Sequence, residues 1–159
     1  MKKILKKEYL FFIFLMAYVF SFIIVKPLGN LDELWNYNMA RAIAEGLIPY
    51  KEVSMVNTPL LPFINAGFLS ILGNNLIVMR ILASLLCATI LYLTFRIFLL
   101  LIKETKISVI FTLLLGFLMI KDFCIDYNFF SLFIILIILY LELRKNDNDN
   151  NLLENLSVC

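Results

Sequence analysis

The chain has 159 residues, 62% hydrophobic and 16% charged, and its mean hydropathy of +0.92 excludes an ordinary soluble domain in favour of an all-α integral membrane protein. A net charge of +2, with Lys and Arg gathered in short flanking clusters, excludes nucleic acid as a partner. Histidine is absent, which excludes Ser-His nucleophiles and the commonest zinc ligand and leaves acid–base chemistry to carboxylates. Cys87, Cys124 and Cys159 lie too far apart to form a metal-ligand spacing, so they read as structural and no metal site is assigned.

The first predicted element follows Met-Lys-Lys-Ile-Leu-Lys-Lys and covers the 17 apolar residues 9–25. The basic start resembles that of a signal peptide, but small residues at a cleavage spacing are missing near residues 22–26, so the segment reads as an uncleaved first span. Lys2, Lys3, Lys6 and Lys7 place that start in the cytoplasm.

Next comes residues 26–75, read as one external loop. Asp32-Glu33 opens an amphipathic stretch over residues 34–45, which Gly46 and Pro49 stop. At about 100° per residue, Leu31, Trp35, Met39, Ala42 and Ile43 share one side, and Glu33, Tyr37, Arg41 and Glu45 form the opposite stripe. The spacing therefore predicts a juxtamembrane helix lying flat on the bilayer, with Asp32 at its N-cap and Glu33 complementing its dipole. Capping and catalysis remain open together for Asp32, because a cap also fixes a carboxylate in place. The block 59–72 has only 14 residues, with Asn65 and Gly67 inside it. A span needs about 20, so the block is expected to stay on the outer surface.

Spans are then expected over residues 76–102, 107–120 and 127–143. Lys103, Lys106, Arg144 and Lys145 come out cytoplasmic only if residues 59–72 do not cross. The expectation is about four transmembrane helices, a membrane domain over 1–145 in the cytoplasmic membrane, and both termini in the cytoplasm. Residues 146–159 turn abruptly to Asn and Asp and read as a polar, disordered tail. Asp126-Tyr127-Asn128 opens the last span on the outer side, where Asp126 serves either as a helix cap or as a second external carboxylate. Lys121 and Asp122 read as a solvated pair.

The order of these elements resembles the GT-C-type glycosyltransferases, and within them the protein O-mannosyltransferase and aminoarabinose-transferase branch. The residues that carry the resemblance are the first span, Asp32-Glu33, residues 40–44, Gly46, Pro49-Tyr50, the block 59–73 and Arg80, within about residues 8–143. The resemblance implies transfer of a sugar from a polyprenyl-phosphate carrier to a glycan, lipid or protein acceptor on the outer membrane face. It maps the family's acidic residue onto Asp32, with Glu33 beside it, as the catalytic pair. Arg41, Tyr50, Arg80 and Asp126 become substrate-binding candidates, with Arg41 and Arg80 facing the departing phosphate. Arg41 reads equally as a helix-surface partner of Glu45 or Tyr37, and Arg80 as a snorkelling anchor. No cofactor is required by the pattern, though Asp32 and Asp126 could share a divalent cation. Full-length members of the branch have many more spans, so the resemblance implies an N-terminal portion. An alternative is a small non-enzymatic membrane subunit that binds a partner or lipid through its external helix; a transporter fragment is weakened by the lack of a mid-membrane charge.

Overall fold

The computed structural model describes the backbone of residues 2–27, 31–56 and 58–157, and the side chains of residues 8–147 within those segments. The described residues form six helices and no strand: α1 (Lys2–Ile23), α2 (Leu31–Ala44), α3 (Leu60–Leu72), α4 (Leu76–Ile102), α5 (Thr105–Ile120) and α6 (Tyr127–Ser157). By length and composition, α4 and the Tyr127–Asp147 part of α6 can cross a membrane, whereas Glu8–Ile23, α3 and α5 are apolar but shorter.

Two boundaries have a clear local cause. Asn75 starts α4 by accepting the Ile77 N–H at 2.9 Å, the usual service of an Asx cap. Past the end of α2, Gly46 takes φ +93°, the Gly46 N–H donates to Ile43 O at 3.0 Å, and the Leu47 N–H donates to Ala42 O at 3.0 Å. These two bonds make a Schellman motif, which needs a residue tolerant of positive φ at that point.

The helix α4 is the hub. On it pack α1, α5 and α6, while α2 and α3 pack mainly on each other. From α1 come Leu15, Val19 and Ile23, four residues apart and fully buried. From α5 come Ser108, Thr112, Gly116 and Ile120, again four apart, so that small residues let the backbones approach. A Cβ built on Gly116 would stand 3.1 Å from Leu91 Cδ1. The buried hydroxyls are satisfied within their own helices: Ser84 donates to Arg80 O, Ser108 to Glu104 O and Thr112 to Ser108 O.

The contacts sort into two ends. At one, the carbonyls of Ile24 and Lys26 beyond α1 meet Arg80 near the start of α4, and Lys26 meets Phe123 between α5 and α6. At the other, Glu8 near the start of α1 pairs with Arg96 late in α4 at 2.8 Å, and Arg96 stacks over Tyr140 of α6. The helices α1, α4, α5 and α6 therefore alternate in direction.

The helix α6 runs on to Ser157, and nothing in Tyr127–Ser157 is Gly or Pro, so no residue stops it. One expectation needs correcting. The buried face of α2 is Glu33, Asn36 and Ala40, whereas Leu31 is 82% exposed. A glutamate points inward because a buried arginine meets it.

Candidate functional site

The acidic pair splits. Both residues lie in the first turn of α2, where a carboxylate is favoured by the positive end of the helix dipole. Asp32 is exposed, and its carbonyl accepts the Asn36 side-chain N–H at 2.9 Å. Glu33 is 4% exposed. Its Oε1 accepts Arg80 Nε–H at 2.9 Å, its Oε2 accepts Arg80 Nη2–H at 3.3 Å, and Lys26 Nζ stands 3.8 Å from Oε2.

Arg80 makes four hydrogen bonds in this geometry. Its remaining terminal nitrogen, Nη1, donates to Ile24 O at 3.0 Å and Lys26 O at 2.8 Å, and the residue is 8% exposed. The guanidinium closes the C-terminal end of α1, where carbonyls are left without intrahelical donors, and ties that end to α2. Its hydrogen bonds thus run to the protein's own groups, Glu33 and two backbone carbonyls.

Lys26 is the residue that the sequence reading passed over. Its Nζ donates to Phe123 O at 2.6 Å and lies beside Glu33, so one ammonium links α1, α2 and the α5–α6 turn. A lysine three residues past a helix end, able to meet the negative end of the dipole, is a readable signal for this role.

Asp126 is buried at 6% exposure and belongs to the same end. Its Oδ1 accepts the Phe129 N–H at 2.8 Å, which makes it the cap of α6. Its Oδ2 faces Cys124 Sγ at 3.8 Å. Burial pushes the Cys124 thiol up to about 12, and the carboxylates of Asp126, Asp32 and Glu33 add to that rise while Lys26 opposes it. The bonds of Lys26 to Phe123 O and Glu33 and of Cys124 to Asp126 place Lys26, Glu33 and Asp126 at one end of the bundle.

Arg41 and Tyr50 stand in other surroundings. Arg41 Nε–H donates to Glu45 Oε1 at 2.8 Å on the exposed face. This hydrogen bond, followed by the charge of Glu45, raises the guanidinium pKa. The same Oε1 accepts from Asn74 Nδ2 at 3.1 Å. Tyr50 is 58% exposed in the turn where Pro49 bridges Val53, and its φ of +65° is unusual for a bulky side chain.

Among the described residues, no three His, Cys, Asp or Glu side chains come together as a metal site. Chemically, the site offers an exposed carboxylate at Asp32 on a base locked by a buried ion pair. Both oxygens of Glu33 are committed to the Arg80 guanidinium, which leaves Asp32 as the exposed carboxylate of the two. The chain matches no protein-family model, no curated protein and no solved structure.

Proposed function

We propose that the chain is the N-terminal portion of a GT-C-type membrane glycosyltransferase, acting on a polyprenyl-phosphate-linked sugar at the outer face of the cytoplasmic membrane. In this reading α1, α4, α5 and α6 are the four spans, residues 26–75 lie outside, and both termini are cytoplasmic. Asp32 is the base. It accepts the proton of an acceptor hydroxyl as that oxygen bonds to the anomeric carbon, and the bond from that carbon to the phosphate oxygen breaks, releasing polyprenyl phosphate. Glu33 and Arg80 act as positioning residues, because their pair fixes the first turn of α2.

One observation carries the reading: Asp32 is exposed while the residue beside it is locked to the spans by Arg80. Such a footing holds a carboxylate in place, as preorganised chemistry requires. The second reading, a non-enzymatic membrane subunit, is favoured by the engagement of Glu33 and Arg80 with each other and of Arg80 with backbone carbonyls. To test between them, membranes carrying the chain receive polyprenyl-phosphate-linked sugars and an acceptor, and transfer is followed. Asp32→Asn is expected to lower transfer by about 10²–10⁴-fold. Equal transfer by the variant removes Asp32 as the base, and no transfer by wild type favours the subunit.

A further inference from the structure

The helices α1 and α5 both pack on α4 but barely touch each other, which leaves a cleft of about 1040 Å³ between them at the Glu33 end. This matches the upper range of ligand pockets, about 300–1,000 Å³. Its walls are apolar, with Tyr18 and Phe22 from α1 facing Phe117 and Leu118 from α5. Its mouth is not: Lys26 and Lys121 stand there with Asp122, and the Glu33 carboxylate that lies 3.8 Å behind Lys26 is itself paired with Arg80.

We infer that this cleft holds one acyl chain of an anionic phospholipid, with the headgroup phosphate on Lys121 and Lys26. The inference rests on the membrane-spanning topology proposed above and is independent of sugar transfer. The cleft is open sideways, since Phe117 is 73% and Leu118 64% exposed, so lipid of the surrounding leaflet enters without any gate. Its wall runs from Tyr18 along α1 to Val25, two residues past the helix end, about 10 Å at the helical rise, which takes the headgroup-proximal half of one acyl chain. The mouth supplies the selection. Lys26 Nζ carries three N–H donors; one goes to Phe123 O and another points to Glu33, which leaves the third to meet a phosphate oxygen. Lys121 is exposed and can reach the same headgroup. A zwitterionic headgroup would bring its own ammonium to this pair and lose the attraction.

The test uses the full chain extracted from membranes and exchanged into equal amounts of phosphatidylglycerol and phosphatidylcholine with identical acyl chains, the retained lipid being read by native mass spectrometry. Phosphatidylglycerol is expected to be retained about fivefold over phosphatidylcholine, and Lys121→Gln to remove most of that preference. Leu118→Trp, which fills the cleft and leaves both lysines in place, is expected to lower retention of both lipids. Equal retention by wild type, or an unchanged preference in Lys121→Gln, overturns the inference alone. Displacement of phosphatidylglycerol by an equimolar amount of polyprenyl phosphate also overturns it, assigning the cleft to the sugar carrier. Recovery of the chain in the soluble fraction without detergent overturns both the inference and the topology on which it rests.

Discussion

Arg80 and Glu33 carry more consequence than any other pair in the chain, because both are buried and each is the other's main counter-charge. Removing one partner strands the other in a low-dielectric site, a loss of about 3–5 kcal/mol, whereas replacing both by apolar groups of similar volume is close to neutral. Arg80→Met is therefore expected to lower the thermal unfolding temperature of the detergent-solubilised protein sharply, and Arg80→Met with Glu33→Leu to restore most of it. If the double variant is no better than the single one, the carbonyls of Ile24 and Lys26 are the contacts that matter. A different logic holds at Asn65, whose side chain is fully buried and whose Nδ2 and Oδ1 find no hydrogen-bond partner among the described residues. A buried amide left unpaired costs about 1–3 kcal/mol. Asn65→Leu, which keeps the branching at Cγ and the number of side-chain heavy atoms, is expected to raise the unfolding temperature, and a fall would mean that the amide is satisfied in the membrane or that the larger methyl groups overpack the site.

At the scale of the helices, two glycines make opposite forecasts. Gly116 sits where α5 meets α4, with Leu91 at the distance of a Cβ contact, so a bulky side chain must push the helices apart. Gly116→Leu is expected to cost about 1–3 kcal/mol. Gly67 lies inside α3 with nothing within 4 Å of its would-be Cβ, and Gly67→Ala is expected to stabilise by about 0.5–1 kcal/mol through the unfolded chain alone. Chemical unfolding of the two variants checks both signs. These helices were largely legible in the sequence, since the apolar block 76–102 coincides with α4 and Gly46 stops α2. The face of α2 was not. Helical spacing placed Glu33 on a solvated stripe, because periodicity ranks residues by polarity and cannot see an arginine 47 positions away. The same limit applies to the site: Asp32-Glu33 could be read as a pair, but which of the two stays exposed depends on Arg80, and Lys26 gained its role only when the turn at Phe123 came beside it.

For the molecule as a whole, the decisive question is whether α3 crosses the bilayer. Its 13 residues reach about 20 Å at 1.5 Å each, short of a hydrocarbon core of about 30 Å. The contacts argue the same way. Asn74, just beyond α3, is bonded by Tyr37 of α2 at 3.3 Å, and Arg80 near the start of α4 returns to the end of α1. The chain thus leaves α1 and enters α4 at one end of the bundle, and α3 does not carry it to the other. Single cysteines convert this into a measurement. Cys87 and Cys124 are buried, and with its thiol pushed up to about 12 Cys124 keeps its proton at pH 8, so it reacts slowly because the thiolate is the nucleophile. The sign for stability follows: a thiol held protonated only in the folded state favours unfolding once the pH exceeds the free-thiol value of about 8.5. Labelling below that pH, with Cys159→Ser as background, leaves an introduced cysteine as the main reactive site. Lys51→Cys, exposed in the α2–α3 connection, and Glu104→Cys, exposed between α4 and α5, then report the two ends. Intact cells given a membrane-impermeant maleimide are expected to label Lys51→Cys, and to label Glu104→Cys only after permeabilisation. Labelling of both positions in intact cells would mean that α3 crosses and that the later helices run the opposite way, and it would overturn the proposed topology.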